Sequence, residues 1–147
     1  MSKPLQVPFT ATLHVKDTCL CLHAQRAARA LARRFDVALK RFDITSGQFS
    51  LLMSLNRPEP PTIGSVAGLL AMDRTTLTAN LKPLERRGLL TVSVDPGDRR
   101  SRRLALTQTG MALLARALPV WTQVHADIEA GLPDGGDALR AGLLALA

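Results

Sequence analysis

Tyrosine is absent from this 147-residue chain, tryptophan occurs once, and the only cysteines are Cys19 and Cys21. Two cysteines are too few for a disulfide scaffold, and without tyrosine no phenol is at hand to hydrogen-bond a thiolate. The fold must therefore rest on a hydrophobic core, which a chain about one domain long and 46% hydrophobic can supply. No apolar run approaches the roughly 18 residues of a membrane span, and Met1 to Phe9 lacks the charged start and apolar centre of a secretory signal. A cytoplasmic protein with no membrane partner is expected. Also missing are a phosphate-binding glycine loop, an HExxH motif and a serine in a Gly-x-Ser-x-Gly frame, so no catalytic residue or cofactor is assigned and an enzyme has little support. There is no internal repeat and no low-complexity tract.

What is present is positive charge, unevenly spread. The formal net charge is +7. Residues 73–106 hold Arg74, Lys82, Arg86, Arg87, Arg99, Arg100, Arg102 and Arg103 against Asp73, Glu85, Asp95 and Asp98. From residue 107 onward the balance reverses, with Arg116 and Arg140 against Asp127, Glu129, Asp134 and Asp137. A surface suited to phosphates is thus concentrated in the middle of the chain, and the C-terminal third is left for another task.

Residues 1–16, with Pro4 and Pro8 and no clear period, read as a loop or short arm. From Asp17 to Phe42, Leu20, Ala24, Ala27, Leu31, Phe35, Ala38 and Phe42 recur at steps of three or four and predict one long helix. Its other face carries Arg26, Arg29, Arg33 and Lys40, readable equally as a solvated stripe or as part of a DNA-facing field. Ser46 is the expected cap of a second helix to about Arg57, closed off by Pro58, Pro60 and Pro61. Thr62 and Asp73 are expected caps of two further helices; the second buries Leu77, Leu81 and Leu84, contains Pro83 and ends at Gly88. Leu89 to Asp95 and Arg102 to Thr107 alternate as a hairpin, with Val92 and Val94 expected to face Leu104 and Leu106. Thr107 caps another helix bent at Pro119, and after a Gly/Pro/Asp turn at 131–136 a short apolar helix runs from Asp137 to Leu146.

Helix, short turn, charged helix and arginine-tipped hairpin, in that order, predict a mainly α fold with a small β-hairpin wing, a winged helix-turn-helix flanked by terminal helices. Such a helix reads bases through its first two turns, so Arg74, Thr75, Thr76, Thr78 and Asn80 are candidate base contacts and Lys82, Arg86 and Arg87 candidate phosphate contacts. At the wing, Gly97 permits the tight turn, Asp98 is expected to hold a neighbouring arginine by a salt bridge, and Arg100, or else Arg99, enters a minor groove; Arg102 completes the candidate DNA set. A winged module that binds protein instead of DNA is the rival, disfavoured by the concentration of arginine in the wing. The end helices, with Leu20, Leu22, Leu31, Leu139, Leu143, Leu144 and Leu146, carry more apolar surface than one small lobe covers. A homodimer built from both termini would cover it, and an intramolecular helical core is the alternative.

Four stretches, Asp73-Arg74-Thr75-Thr76-Leu77-Thr78, Leu84-Glu85-Arg86-Arg87-Gly88-Leu89-Leu90, Asp98-Arg99-Arg100-Ser101 and Leu106-Thr107-Gln108-Thr109-Gly110, resemble the MarR family of bacterial regulators. The similarity runs from about Asp17 to Leu146. It implies a single MarR-like domain over residues 1–147, with a DNA-binding lobe at 46–106 and dimerisation helices at 17–42 and 107–147. It further implies a homodimer on a near-palindromic double-stranded operator, released by a small ligand or by oxidation, with repression the family's commoner habit. Arg100 matches the family's wing-tip arginine and Asp98 its partner.

For the sensor the chain offers two readings. An effector pocket between lobe and dimer helices would draw on His23, Arg26, Phe49, Met53 and Trp121, with Arg26 meeting an aromatic or lipophilic carboxylate; the last three can equally be core. Cys21 lies 23 residues before Ile44, where the peroxide-sensing branch of the family keeps its reactive cysteine, but the tyrosines that serve the thiolate there appear as Gln25 and Phe35. Cys19 and Cys21, two apart on one helix, point to opposite sides and are not expected to pair, which leaves an intersubunit bridge open. Cys19 and His23 share a face, yet two ligands without carboxylates do not make a metal site, and His14 and His125 stand alone.

Overall fold

The computed structural model describes residue 1 and residues 3–147. Its elements run α1 (Phe9–Thr18), α2 (Leu20–Leu39) with a 3-10 turn at Lys40–Phe42, α3 (Ser46–Ser54), α4 (Ile63–Leu70), α5 (Arg74–Arg86), β1 (Leu90–Val94), β2 (Arg102–Leu106), α6 (Gln108–Ala130) and α7 (Gly135–Leu146). Among the described residues no helix is long and apolar enough to cross a membrane. The mainly α architecture with a two-stranded wing is the expected one.

Local chemistry explains most of the boundaries. Thr45, Thr62, Asp73 and Thr107 each precede a helix and each accept a backbone N–H from its first turn, at 3.2, 3.1, 2.7 and 3.0 Å. The cap of α3 is thus Thr45, one residue before the expected Ser46. It wins because Gln48 reaches back to the Thr45 N–H at 3.0 Å and completes a capping box. α5 ends as its sequence requires: Gly88 adopts φ 71, its N–H bonds the carbonyl of Glu85, and the Leu89 N–H bonds that of Leu84. Pro83 lies inside α5 without interrupting it.

The core occupies the lobe. Leu39, Leu52, Val66, Leu77, Leu81, Leu84, Leu90 and Leu104 are fully buried and come from every element between the foot of α2 and the base of the wing. α6 joins this core through the buried Leu113, Leu114 and Ala117 with Trp121 packed against it, and α2 through the buried Leu39 with Phe35 packed against it. Leu39 was outside the expected stripe. Leu20, at the other end of that stripe, is exposed.

Three expectations are corrected. Residues 9–18 form α1 and not a loop; no residue of α1 is buried, so no packing demanded an apolar period in its sequence. The long helix starts at Leu20, because Cys19 is extended (φ −68, ψ 110) and caps α2 through its sulfur, which accepts the Leu22 N–H at 3.4 Å. In the hairpin Val92 does oppose Leu104, but Leu106 opposes Leu90 and Val94 opposes Arg102, since β1 is paired from Leu90. A further bridge, Thr62 with Arg103, and the Leu104 N–H to Pro61 carbonyl bond at 2.9 Å, lay the segment before α4 along the outer edge of β2.

The three-way junction of α5, wing and α6 is tight. Thr107 donates its N–H to the Leu89 carbonyl (3.2 Å) and its hydroxyl to the Gly88 carbonyl (2.5 Å). Gly110 is buried one turn on, where an added Cβ would overlap the Leu89 carbonyl oxygen. We therefore expect Gly110→Ala to lower unfolding free energy by about 2–3 kcal/mol in urea melts, an overpacking cost that outweighs the helix-propensity gain of alanine.

Candidate nucleic-acid interface

α4 and α5 are joined by a three-residue reversal. Ala71 takes the left-handed conformation (φ 52) and the Met72 N–H reaches back to the Ala67 carbonyl at 2.9 Å, which frees Asp73 to start α5 in a new direction. The Asp73 carboxylate accepts the Thr76 N–H at 2.7 Å and the Thr76 hydroxyl at 2.8 Å. These bonds, the backbone one foremost, hold its carboxyl below the ordinary value. With Leu77, Leu81 and Leu84 turned inward, Arg74, Thr75, Thr76, Thr78, Asn80 and Lys82 are left on the exposed face. Two of the threonines have their hydroxyl protons committed, Thr76 to Asp73 and Thr78 to the Arg74 carbonyl at 2.8 Å. What they offer a base is a methyl group and acceptor lone pairs.

The wing is held by carboxylates acting on backbone. Asp95 accepts the Gly97 N–H at 3.1 Å, and Asp98 accepts the Arg100 N–H at 3.0 Å. The backbone closes the loop from Asp95 N–H to the Ser101 carbonyl (3.1 Å) and from Ser101 N–H to the Asp98 carbonyl (2.9 Å). The expected salt bridge from Asp98 to an arginine side chain is thus replaced by a turn bond to the arginine's own N–H. The carboxylate that does pair with an arginine is Asp95, 3.3 Å from Arg103, whose other Nη donates to the Pro60 carbonyl at 2.8 Å. The Gly97 N–H draws the Asp95 carboxyl below its ordinary value, and Arg103 adds to this against the opposing effect of burial. Sequence reasoning passed over Arg103 and Asp95 as contributors here. The Asp-x-Gly and Asp-x-Arg spacings were a readable signal for such turns. Arg102 donates to the Arg99 and Ser101 carbonyls at 3.0 and 3.2 Å and buttresses the tip, from which the Arg99 and Arg100 side chains project into solvent.

These elements enclose a polar cleft of about 320 Å³ lined by Arg74 and Thr78 from α5, Asp98, Arg100 and Arg102 from the wing, and the Thr62 to Gly64 start of α4. Residues more than twenty positions apart in sequence are thereby set around one concave, cationic surface. Lys82, Arg86 and Arg87 lie apart from it at the far end of α5. Arg86 folds back onto the Lys82 carbonyl (3.4 Å), and Arg87 donates to the Asp43 carbonyl at 2.5 Å.

The five expected effector residues fall into two places. Phe49, Met53 and Trp121 line an apolar cavity of about 360 Å³ with Leu69, Leu70 and Leu118 between α3, α4 and α6. Phe49 is buried and stacks on Trp121, with ring centres 6.0 Å apart. His23 and Arg26 lie instead in a shallow basic depression on α2 with Arg29 and Arg33, so Arg26 does not reach the apolar cavity's lining. The apolar walls thus share no site with the cation assigned to them, because α2 turns that face away from α6. Cys21 is exposed and its sulfur accepts the Gln25 amide N–H at 3.2 Å. The His23 ring meets the Cys19 backbone carbonyl at 2.7 Å, and Cys19 lies outside the helix, so the one-helix geometry expected for Cys19, Cys21 and His23 does not hold.

An exposed helix after a three-residue turn, flanked by a rigid arginine-tipped hairpin, defines a winged helix-turn-helix of the kind used by transcriptional regulators. The MarR family profile matches residues 44–101. The organic hydroperoxide resistance transcriptional regulator of Bacillus subtilis is 30% identical over 108 residues, covering 73% of this chain and 74% of that one. In structure the chain is similar to the M. tuberculosis regulator MosR in complex with DNA, at TM-score 0.81 and 34% identity over 88% of this chain and 93% of that one. It is also similar to the transcriptional repressor CouR bound to a 23-mer DNA duplex, at TM-score 0.73 and 31% identity over 90% and 92%. The chain belongs to the MarR family of winged-helix transcriptional regulators.

Because the folded Asp73 carboxyl is depressed below 3.8, its contribution to stability is complete above that value and is lost as pH falls through the lower folded one. Asp73→Ala is expected to lower the thermal midpoint at pH 7. The gap from wild type should close below about pH 4, as followed by circular dichroism melts.

Proposed function

We propose that this regulator is a homodimer that binds a near-palindromic double-stranded DNA operator and acts as a repressor, relieved by a small aromatic or lipophilic molecule. The observation that carries the DNA reading is the cationic cleft in which the start of α5 and the wing arginines face one another. In this reading Arg74, Thr75, Thr76, Thr78 and Asn80 meet base edges, Lys82, Arg86 and Arg99 meet phosphates, and Arg100 enters the minor groove on a tip whose shape Asp98 and Arg102 maintain. Two neighbours of 31% and 34% identity whose structures contain DNA support the DNA reading. An operator partner sets the cytoplasm as the place of action, and the reading requires neither cofactor nor catalytic step.

Dimerisation is supported by surface left uncovered on the terminal helices. Phe9 and Val15 of α1, Leu20 of α2 and Leu139, Leu143, Leu144 and Leu146 of α7 are all exposed. Residues 17–42 and 107–147 then act as dimerisation helices around the lobe at 46–106, and a two-fold axis matches a near-palindromic site. The apolar cavity at Phe49, Met53 and Trp121 is the space for the effector, lying where α6 meets the lobe.

Titrated against duplex from its own promoter region and against random duplex, the protein should prefer the former, with log affinity falling linearly in log salt. Equal affinity for both duplexes would reject the regulator reading. Arg100→Ala should weaken operator binding about tenfold to a hundredfold while the dimer persists in sedimentation.

One contact favours a second reading, a thiol-based peroxide sensor using Cys21. The Gln25 amide that donates to the Cys21 sulfur in turn accepts from Arg29 at 3.4 Å, a chain of donors ending on a cation where tyrosine is absent. A Cys21 thiolate would attack the peroxide O–O bond, giving a sulfenic acid and releasing an alcohol or water. In this reading organic hydroperoxide releases the wild type from its operator and leaves Cys21→Ser bound. Equal behaviour of the two proteins excludes it.

A further inference from the structure

α5 carries the base-reading face, and α2 belongs to the terminal helices that would join two subunits. Among the described residues, the hydrogen bonds from the end of α5 to the corner that closes α2 all come from Arg87. Its guanidinium donates to the carbonyls of Asp43 (2.5 Å) and Phe42 (3.4 Å) and stands 4.0 Å from the Asp43 carboxylate. The corner it grips is itself sharply defined. The 3-10 turn continues α2 directly, Asp43 closes it in the left-handed conformation (φ 55), and the Asp36 carboxylate accepts the Ser46 N–H at 2.6 Å across the bend. Arg87 is also the last residue before Gly88, where α5 turns into the wing. One side chain therefore ties the end of the recognition helix to the foot of the long helix, and its donors point at protein carbonyls.

We propose that Arg87 is a positioning residue for half-site spacing: it fixes the angle between the recognition helix and the dimer helices and so sets the distance between the two α5 helices of a dimer. This rests on the dimeric operator-binding reading given above. The physical reason is leverage. Each base pair added between half-sites shifts the second by about 3.4 Å and turns it by about 35° around the duplex, so a dimer tells one spacing from the next only if its recognition helices cannot swing. A planar guanidinium spanning two adjacent carbonyls resists that swing. A lysine at the same place retains the charge and can engage only one point at a time.

The test uses the full-length dimer on its operator and on duplexes with one base pair added or removed between half-sites, across a salt series. Arg87→Ala and Arg87→Lys should both bind the native operator with an unchanged salt slope but lose about tenfold of the preference for native spacing, the scale of a charged hydrogen bond. Arg86→Ala, as comparator, should reduce the slope by about 0.9 per subunit and keep the spacing preference. The proposal is overturned if Arg87→Ala reduces the slope in the same way with spacing preference intact, since Arg87 is then a phosphate ligand, or if Arg87→Lys behaves as wild type. If Arg87→Ala fails to fold, Arg87→Lys decides alone. If the wild type shows no operator preference over random duplex, the operator-binding reading has failed and not the role of Arg87 within it.

Discussion

Two consecutive carbonyls, those of Gly88 and Leu89, organise the lobe. Thr107 donates to both, and Gly110 lies against the second with no room for a side chain. Those contacts pin the end of α5, the root of the wing and the start of α6 to one point. The left-handed Gly88 makes this possible, because it turns the chain out of α5 while the Leu89 N–H still closes on Leu84. A residue with a Cβ at position 110, or one that avoided positive φ at 88, would separate these three elements and with them α5 from the wing, two of the walls of the cationic cleft. The geometry of the nucleic-acid face is thus settled by hydrogen bonds behind it.

The wing follows the same logic with charge. A loop carrying Arg99, Arg100, Arg102 and Arg103 repels itself and is expected to splay. Here each of its two carboxylates is used on a turn N–H, and two of the four arginines are turned inward onto carbonyls or Asp95. Half of the positive charge therefore stiffens the loop that presents the other half. A stiffened loop has little entropy left to lose on binding, and the inward arginines supply that stiffness.

The parts legible in the sequence are those governed by short-range rules. Thr62, Asp73, Thr107 and Gly88 mark helix ends because side-chain oxygens and a left-handed residue act within three or four positions, and all four stand where they were expected. What escaped was decided at longer range. Leu39, Arg87 and Arg103 owe their roles to partners distant in sequence, Arg103 meeting Pro60 and Arg87 meeting Asp43. α1 escaped for the opposite reason, since a helix that buries nothing leaves no period to read. The effector residues were grouped by analogy of position, and the structure divides them because the His23 and Arg26 face of α2 is turned away from α6.

The burial pattern divides the molecule into a lobe that is complete by itself and ends that are not. From α3 to the base of the wing every element contributes a fully enclosed side chain, whereas α1 buries nothing and α7 only Gly136. A lobe with its own core moves as one body, so whatever covers the ends can shift it only through the places where α2 and α6 enter. On α2 those are Leu39, Phe35, the Asp36–Ser46 bond and the Arg87 clamp at its foot, and on α6 Leu113, Leu114, Ala117 and Trp121. Directly beyond Ala117, Leu118 and Trp121 open into the apolar cavity. That cavity borders α6 just where the helix leaves the core, and the same helix begins at Thr107 and Gly110, which hold the carbonyls behind the wing. The bonds that hold the face from behind and a wall of the cavity are therefore supplied by one helix and its cap.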